Sequence, residues 1–285
     1  MKIWFLSALV GPWLFLSASL VLAGVPSQGD RYKLLLKRHS EYQENDSGSG
    51  SSDDNDVIEV RTISVGHGAL DFEYDLPADA TAGDREVGWQ FPAKVHLGAD
   101  GTMTLLNTAE LETRRDRFLK SAGLTTQMCG RWIFTWNAFK IECDPQSALS
   151  IISRFQTQPA VLADGAPFGI KGAVGSAPMK CARSTAQGQR CTVVLPLDEG
   201  DIRRDLVESD VVIGDITGKP ISAFEAAKSR AATQIKGTIE VTFEADLDGT
   251  VWKRTTVVRS EQRDPGGRTR SSVATTVLTR TKIGA

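Results

Sequence analysis

Hydrophobic and polar positions alternate most cleanly over residues 70–76, where Leu70, Phe72, Tyr74 and Leu76 interleave with Asp71, Glu73 and Asp75. Successive side chains on a strand point to opposite faces, so this is the pattern of a half-buried antiparallel strand, ended by Pro77. Residues 57–65 precede it across Gly66-His67-Gly68, a turn of hairpin length whose glycines accept positive φ. Residues 30–42, apolar in the middle and charged at both ends, read as a first strand. Residues 89–97 and 102–106 form another hairpin pattern about 98–101, and 191–195 and 211–216 read as further strands. The clearest β region closes the chain. Residues 237–245, 251–262 and 271–283 are rich in Val and Thr, with turn clusters at 246–249 and 264–267, and predict a three-stranded antiparallel meander.

Helical spacing intervenes in four places. Asn107, with Glu110 three residues on, opens a helix whose apolar stripe is Leu111, Phe118, Leu119 and Ala122, stopping at Gly123. Asp144-Pro145 starts a second, with Ala148, Ile151, Ile152 and Phe155 on one face. A third runs over 198–210 through Ile202, Leu206 and Val207. Ser222-Ala223-Phe224-Glu225 is a capping box for a fourth, to about Thr233. The expected class is α+β: β-rich, with a curved antiparallel sheet or sheets, three to four short helices and two local disulfides.

Residues 129–145, CGRWIFTWNAFKIECDP, concentrate the aromatic surface. Alternation places Trp132, Phe134 and Trp136 on one strand face between two cysteines. With Trp89 they are the candidates for a ligand-facing wall, a closed core being the competing assignment. Phe134 is read as core and Trp136, beside the turn at Asn137-Ala138, as partly open. Each cysteine pair closes one short excursion, Cys129 with Cys143 and Cys181 with Cys191. The spacing is unlike zinc ligands and there is no Cys-x-x-Cys.

Two segments carry little to bury. Residues 45–56, NDSGSGSSDDND, read as a flexible acidic loop, and the Gly/Ala/Pro-rich stretch 159–180 as a long connection and candidate subregion boundary. Charge is unevenly placed: residues 30–86 hold fourteen acids against six Lys and Arg, and residues 251–285 hold eight Lys and Arg against two acids. In one sheet these segments would favour being neighbours. The whole-chain charge of -2 gives no bias toward nucleic acid.

Lys2 followed by an apolar run to Ala23, with Val21-Leu22-Ala23 at its end, reads as a signal peptide over 1–23. Residues 24–285 are then a single mature α+β domain, periplasmic or secreted, with no later membrane span. An uncleaved anchor is the alternative.

The three histidines, His39, His67 and His96, are isolated in sequence, and no hydrolase, phosphate-loop or metal-ligand motif occurs. No cofactor or metal is expected. The reading is noncatalytic binding of an apolar small molecule or envelope component. The alternative is a hydrolase assembled from His67 with Asp71, Glu73 and Asp75. Cleavage after Ala23 gives a mature N-terminus at Gly24, and N-terminal sequencing of the native protein that starts at Met1 instead rejects it.

Overall fold

The computed structural model describes residues 26–45, 48–66, 69–134, 138–184 and 188–284, the side chains of 133, 134, 138, 139 and 184 apart. In chain order its elements are β1 (Arg31–Glu44), β2 (Gly48–Val65), β3 (Leu70–Asp75), α1 (Ala82–Val87), β4 (Ala93–Leu97), β5 (Met103–Leu105), α2 (Thr108–Ser121), β6 (Trp132–Phe134), β7 (Ala138–Lys140) and α3 (Ser147–Ser153). Then follow β8 (Pro167–Phe168), β9 (Ala177–Pro178), β10 (Lys180–Ser184), β11 (Gly188–Pro196), α4 (Glu199–Ile216), α5 (Ala223–Arg230), β12 (Gln234–Ala245), β13 (Val251–Arg263) and β14 (Thr269–Ile283).

Ten strands form one open antiparallel sheet in the order β10-β11-β12-β13-β14-β1-β2-β3-β4-β5. The sheet is two meanders, β1–β5 and β10–β14, joined where β1 lies against β14 from Arg31↔Ile283 to Glu44↔Arg270. The acidic N-terminal and basic C-terminal segments are therefore neighbours, as their charges favour. Lys282 binds Asp30 at 2.7 Å at one end of the join, and Arg268 and Arg270 reach Glu44 at the other. The C-terminal meander β12–β13–β14 is as expected.

Register sorts the side chains onto two faces. One face carries both apolar cores. Leu34, Leu36, Ile58, Val60, Val95 and Leu278 pack under Leu111 of α2 and Ala148 and Ile152 of α3. Val193, Leu195, Ile239, Val241 and Phe243 pack with Ile202 and Leu206 of α4. The stretch 159–180 covers this second core rather than merely spanning a gap: Met179 is buried in it and Phe168 meets the Phe243 ring edge-on at 5.2 Å. The opposite face carries cross-strand ion pairs, among them Lys236–Glu261, Lys253–Glu244 and Arg61–Glu73.

Both disulfides pair sequentially, Cys129 with Cys143 and Cys181 with Cys191, and the Cα atoms are 5.6 and 4.0 Å apart. The first staples the small β6–β7 hairpin, whose ladder continues through Gly130 N–H to the Ile141 carbonyl at 2.8 Å.

The structure corrects two expectations and adds one element. Residues 48–56 of the expected loop are strand: β2 begins at Gly48, and Ser49 to Asp56 pair with Gln43 to Leu36 of β1. Ladder hydrogen bonds need no buried side chain, and polar partners suit this exposed ribbon. Ser40 and Ser52 hydroxyls lie 2.8 Å apart, and Arg38 engages Asp54 and Asp56. A Cβ at Gly50 would come within 2.6 Å of the Tyr42 ring, so a larger residue there would have to displace that exposed side chain. Residues 211–216 are not a strand but the last third of α4. Here tertiary contact overrides the preference of Val211-Val212-Ile213 for strands. Arg230 of α5 holds Asp210 through two hydrogen bonds of 2.6 and 2.7 Å, and Gly214 lies against the returning chain at Lys219. Finally, α1 was not anticipated, although Thr81 and Asp84 form its capping box; at six residues it is too short for an apolar period. With α1 the described helices number five.

Thr62 of β2 is 1% exposed, and its hydroxyl has no hydrogen-bond partner among the described residues. An orphan buried hydroxyl is costly, so Thr62→Val should raise the unfolding free energy by about 1 kcal/mol in urea denaturation.

Candidate functional site

Asp71, Glu73 and Asp75 lie on the ion-paired face of β3, and each has a structural partner. The Ser64 hydroxyl donates to Asp71 Oδ2 at 2.6 Å, while His96 Nδ1 lies 2.7 Å from Asp71 Oδ1. Arg61 binds Glu73 at 2.8 Å and Arg85 binds Asp75 at 3.0 Å. Ser64, Asp71 and His96 have the residue types of a nucleophilic triad in the wrong order. Activation needs the serine proton to go to imidazole, with the carboxylate behind it; here the serine donates to the carboxylate. His67 lies outside the described residues. The histidine brought to this row is His96 of β4, the next strand, through the Asp71↔His96 register.

His39 is not isolated either. Its Nδ1 meets Asp53 at 2.8 Å and its Nε2 meets Glu41 at 2.9 Å, so both ring nitrogens act as donors in the imidazolium form. Glu41 and then Asp53 raise its pKa above the ordinary histidine value. It is a surface pair-former on an open face. No group of three or more His, Cys, Asp or Glu suited to a metal occurs among the described residues.

The aromatic candidates separate. Trp89 is 2% exposed and packs in the first core beside Phe91, a filler of the interior and not a wall. Trp132 is 38% exposed and opens with Gly130 and Arg131 on a depression shared with Asp215 and Ile216 of α4. The Phe134 side chain and all of Trp136 lie outside the described residues. The stapled hairpin thus leans on the end of α4, a helix whose extent the sequence understates.

That helix borders a strongly apolar concavity. Between α4 and α5 runs a groove of about 410 Å³ lined by Gly200, Val207, Val211, Ala223 and Ala227 together with Arg203, Arg204 and Glu208. Val207 and Val211 recur at i,i+4 on α4, beside the core-facing Ile202 and Leu206; Ala223 and Ala227 do the same on α5. Two apolar stripes on one helix are the signal in the sequence, hidden by reading 211–216 as a strand. Phe224, next to Ala223, is 78% exposed, and Ile213 and Ile221 also face solvent.

Ser64 first and His96 second hold the Asp71 carboxyl below the usual carboxylate range. A depressed carboxylate contributes stability above its unfolded pKa, near 3.9, and loses it as pH falls through the folded value. Asp71→Asn should therefore lower stability at pH 7 to 8, where the carboxylate contributes in full, and flatten the fall in stability below about pH 4; urea midpoints across that range test this.

Among known proteins, no family model and no curated sequence matches this chain. One solved structure, a conserved protein of unknown function with hot dog fold from Alicyclobacillus acidocaldarius, is 12% identical over 93% of this chain and 83% of that chain. Its TM-score is 0.12, so nothing is carried over from it.

Proposed function

We propose that the protein is exported and acts noncatalytically, holding an apolar ligand or an apolar segment of an envelope component in the α4–α5 groove. The observation that carries this reading is the groove itself, in which Val207, Val211, Ala223 and Ala227 line the space together with Arg203, Arg204 and Glu208. Ligand sites are concave and mostly apolar with few polar groups, and this is the described concavity that fits. Two disulfides with no free cysteine among the described residues suit an oxidising compartment. No described helix is long and apolar enough to cross a membrane. The carboxylate row offers no counter-reading, because each of its members is engaged by an arginine or by Ser64 and His96.

Neutral N-phenyl-1-naphthylamine, fluorescent in apolar surroundings, reports occupancy. Ala227 is exposed on α5, so a charge there leaves the core intact while facing the ligand. Ala227→Asp should weaken probe binding about tenfold, equivalent to ~1.4 kcal/mol. The matching substitution Ala182→Asp, on exposed β10, should leave it unchanged. Equal probe affinity in parent and Ala227→Asp would remove the groove from consideration.

A further inference from the structure

Between the two cores the sheet carries a polar strip, and one of its cations is uncompensated. Arg254 of β13 pairs with Phe243 of β12 and Leu278 of β14, both fully buried and belonging to different cores. Its side chain therefore rises at the boundary between them. Arg254 makes no ion pair among the described residues; its one hydrogen bond runs from Nη2 to the Arg154 carbonyl at 3.5 Å. The carboxylates of this face are taken. Asp56 is shared by Arg38 and Arg154, and Asp54 is held by Arg38. Burial pushes the Arg254 guanidinium below the ordinary arginine value, with no neighbouring anion acting against the shift.

The surroundings match a missing anion. Thr256 lies two residues from Arg254 and so on the same face, and it pairs directly with Thr276 of β14. Neither hydroxyl has a hydrogen-bond partner among the described residues, and both residues are half-buried. Arg38 stands beside Thr276 in the β1–β14 register. A half-buried charge without a counter-charge is expensive to keep, whereas a guanidinium flanked by free hydroxyls offers a planar fork and two further donors to one oxyanion.

We propose that Arg254, Thr256 and Thr276 form a binding site for a compact oxyanion, a phosphate-type group either free or at the head of an amphiphile. The site is separate from the α4–α5 groove and does not depend on it.

Calorimetric titration of the full chain at constant ionic strength, with inorganic phosphate in one arm and hexyl phosphate in the other, tests this. Arg254→Met should lower affinity about tenfold or more, and Arg254→Lys, which keeps the charge but loses the fork, should fall between. Arg259→Gln, an exposed arginine of the opposite face, should bind as the parent does. The double variant Thr256→Val with Thr276→Val keeps shape and removes only the hydroxyls, so it serves even if Arg254→Met fails to fold; it should also bind less tightly. Saturable binding of free phosphate with this pattern supports an ion site. Binding of hexyl phosphate alone, with the same pattern, supports an amphiphile head. Binding of neither, unchanged affinity in Arg254→Met or in the threonine double variant, or an equal loss in Arg259→Gln overturns the proposal.

Discussion

The structure depends on the pairing of β1 with β14. Every other neighbour in the ten-stranded sheet follows its predecessor in chain order, so without this join there would be two separate meanders. The join is long, spanning all of β1, and its chemistry is polar at both ends. Lys282–Asp30 closes one end, and Glu44 with Arg268 and Arg270 the other. Arg280 over the Tyr32 ring at 3.7 Å and Arg270 over Tyr42 at 4.3 Å add cation–π contacts across the same two strands. Exposed ion pairs are each worth at most about 1 kcal/mol, so they set which strands meet and in what register more than they hold the sheet together. The main chain supplies the ladder, and Leu34, Leu36 and Leu278 anchor its middle in the first core.

This division explains the odd composition of the N-terminal strands. Beyond Leu36, β1 and β2 leave the core and continue as a ribbon with no apolar layer on it, so Ser, Gly and Asp are tolerated as long as cross-strand partners exist. The terminal strands are short, three residues in β5 and five in β10, the latter bonded to its neighbour through Cys181–Cys191, while the longer outer edge of β2 over 48–58, which β3 does not reach, carries Asp53, Asp54 and Asp56. Short edges limit unwanted strand addition, which matters for an open sheet of this width.

The two proposed binding features occupy different places for the same reason. Helices cover the sheet only over its two cores, leaving α4 and α5 with apolar surface beyond what the core uses and leaving the boundary between cores polar. Excess apolar surface produces the groove, and the polar boundary strands Arg254 without a carboxylate.

The sequence by itself determined what local patterns control. Period-2 alternation located β3 and the C-terminal meander, the Ser222–Glu225 capping box located α5, and cysteine order located both disulfides. It also held the charge asymmetry that the β1–β14 join uses. Tertiary structure decided the rest, because the deciding partners are remote in sequence. Residues 48–56 become a strand only when β1 lies alongside, and residues 211–216 stay helical because α5 packs back through Arg230 and Asp210. The sites follow the same rule. Trp89 and Trp132 are alike in sequence, yet one is interior and the other open, since burial depends on which layer the fold places above a face. Arg254 is one charged residue among many until register sets it between Phe243 and Leu278, with Asp54 and Asp56 already committed to Arg38 and Arg154.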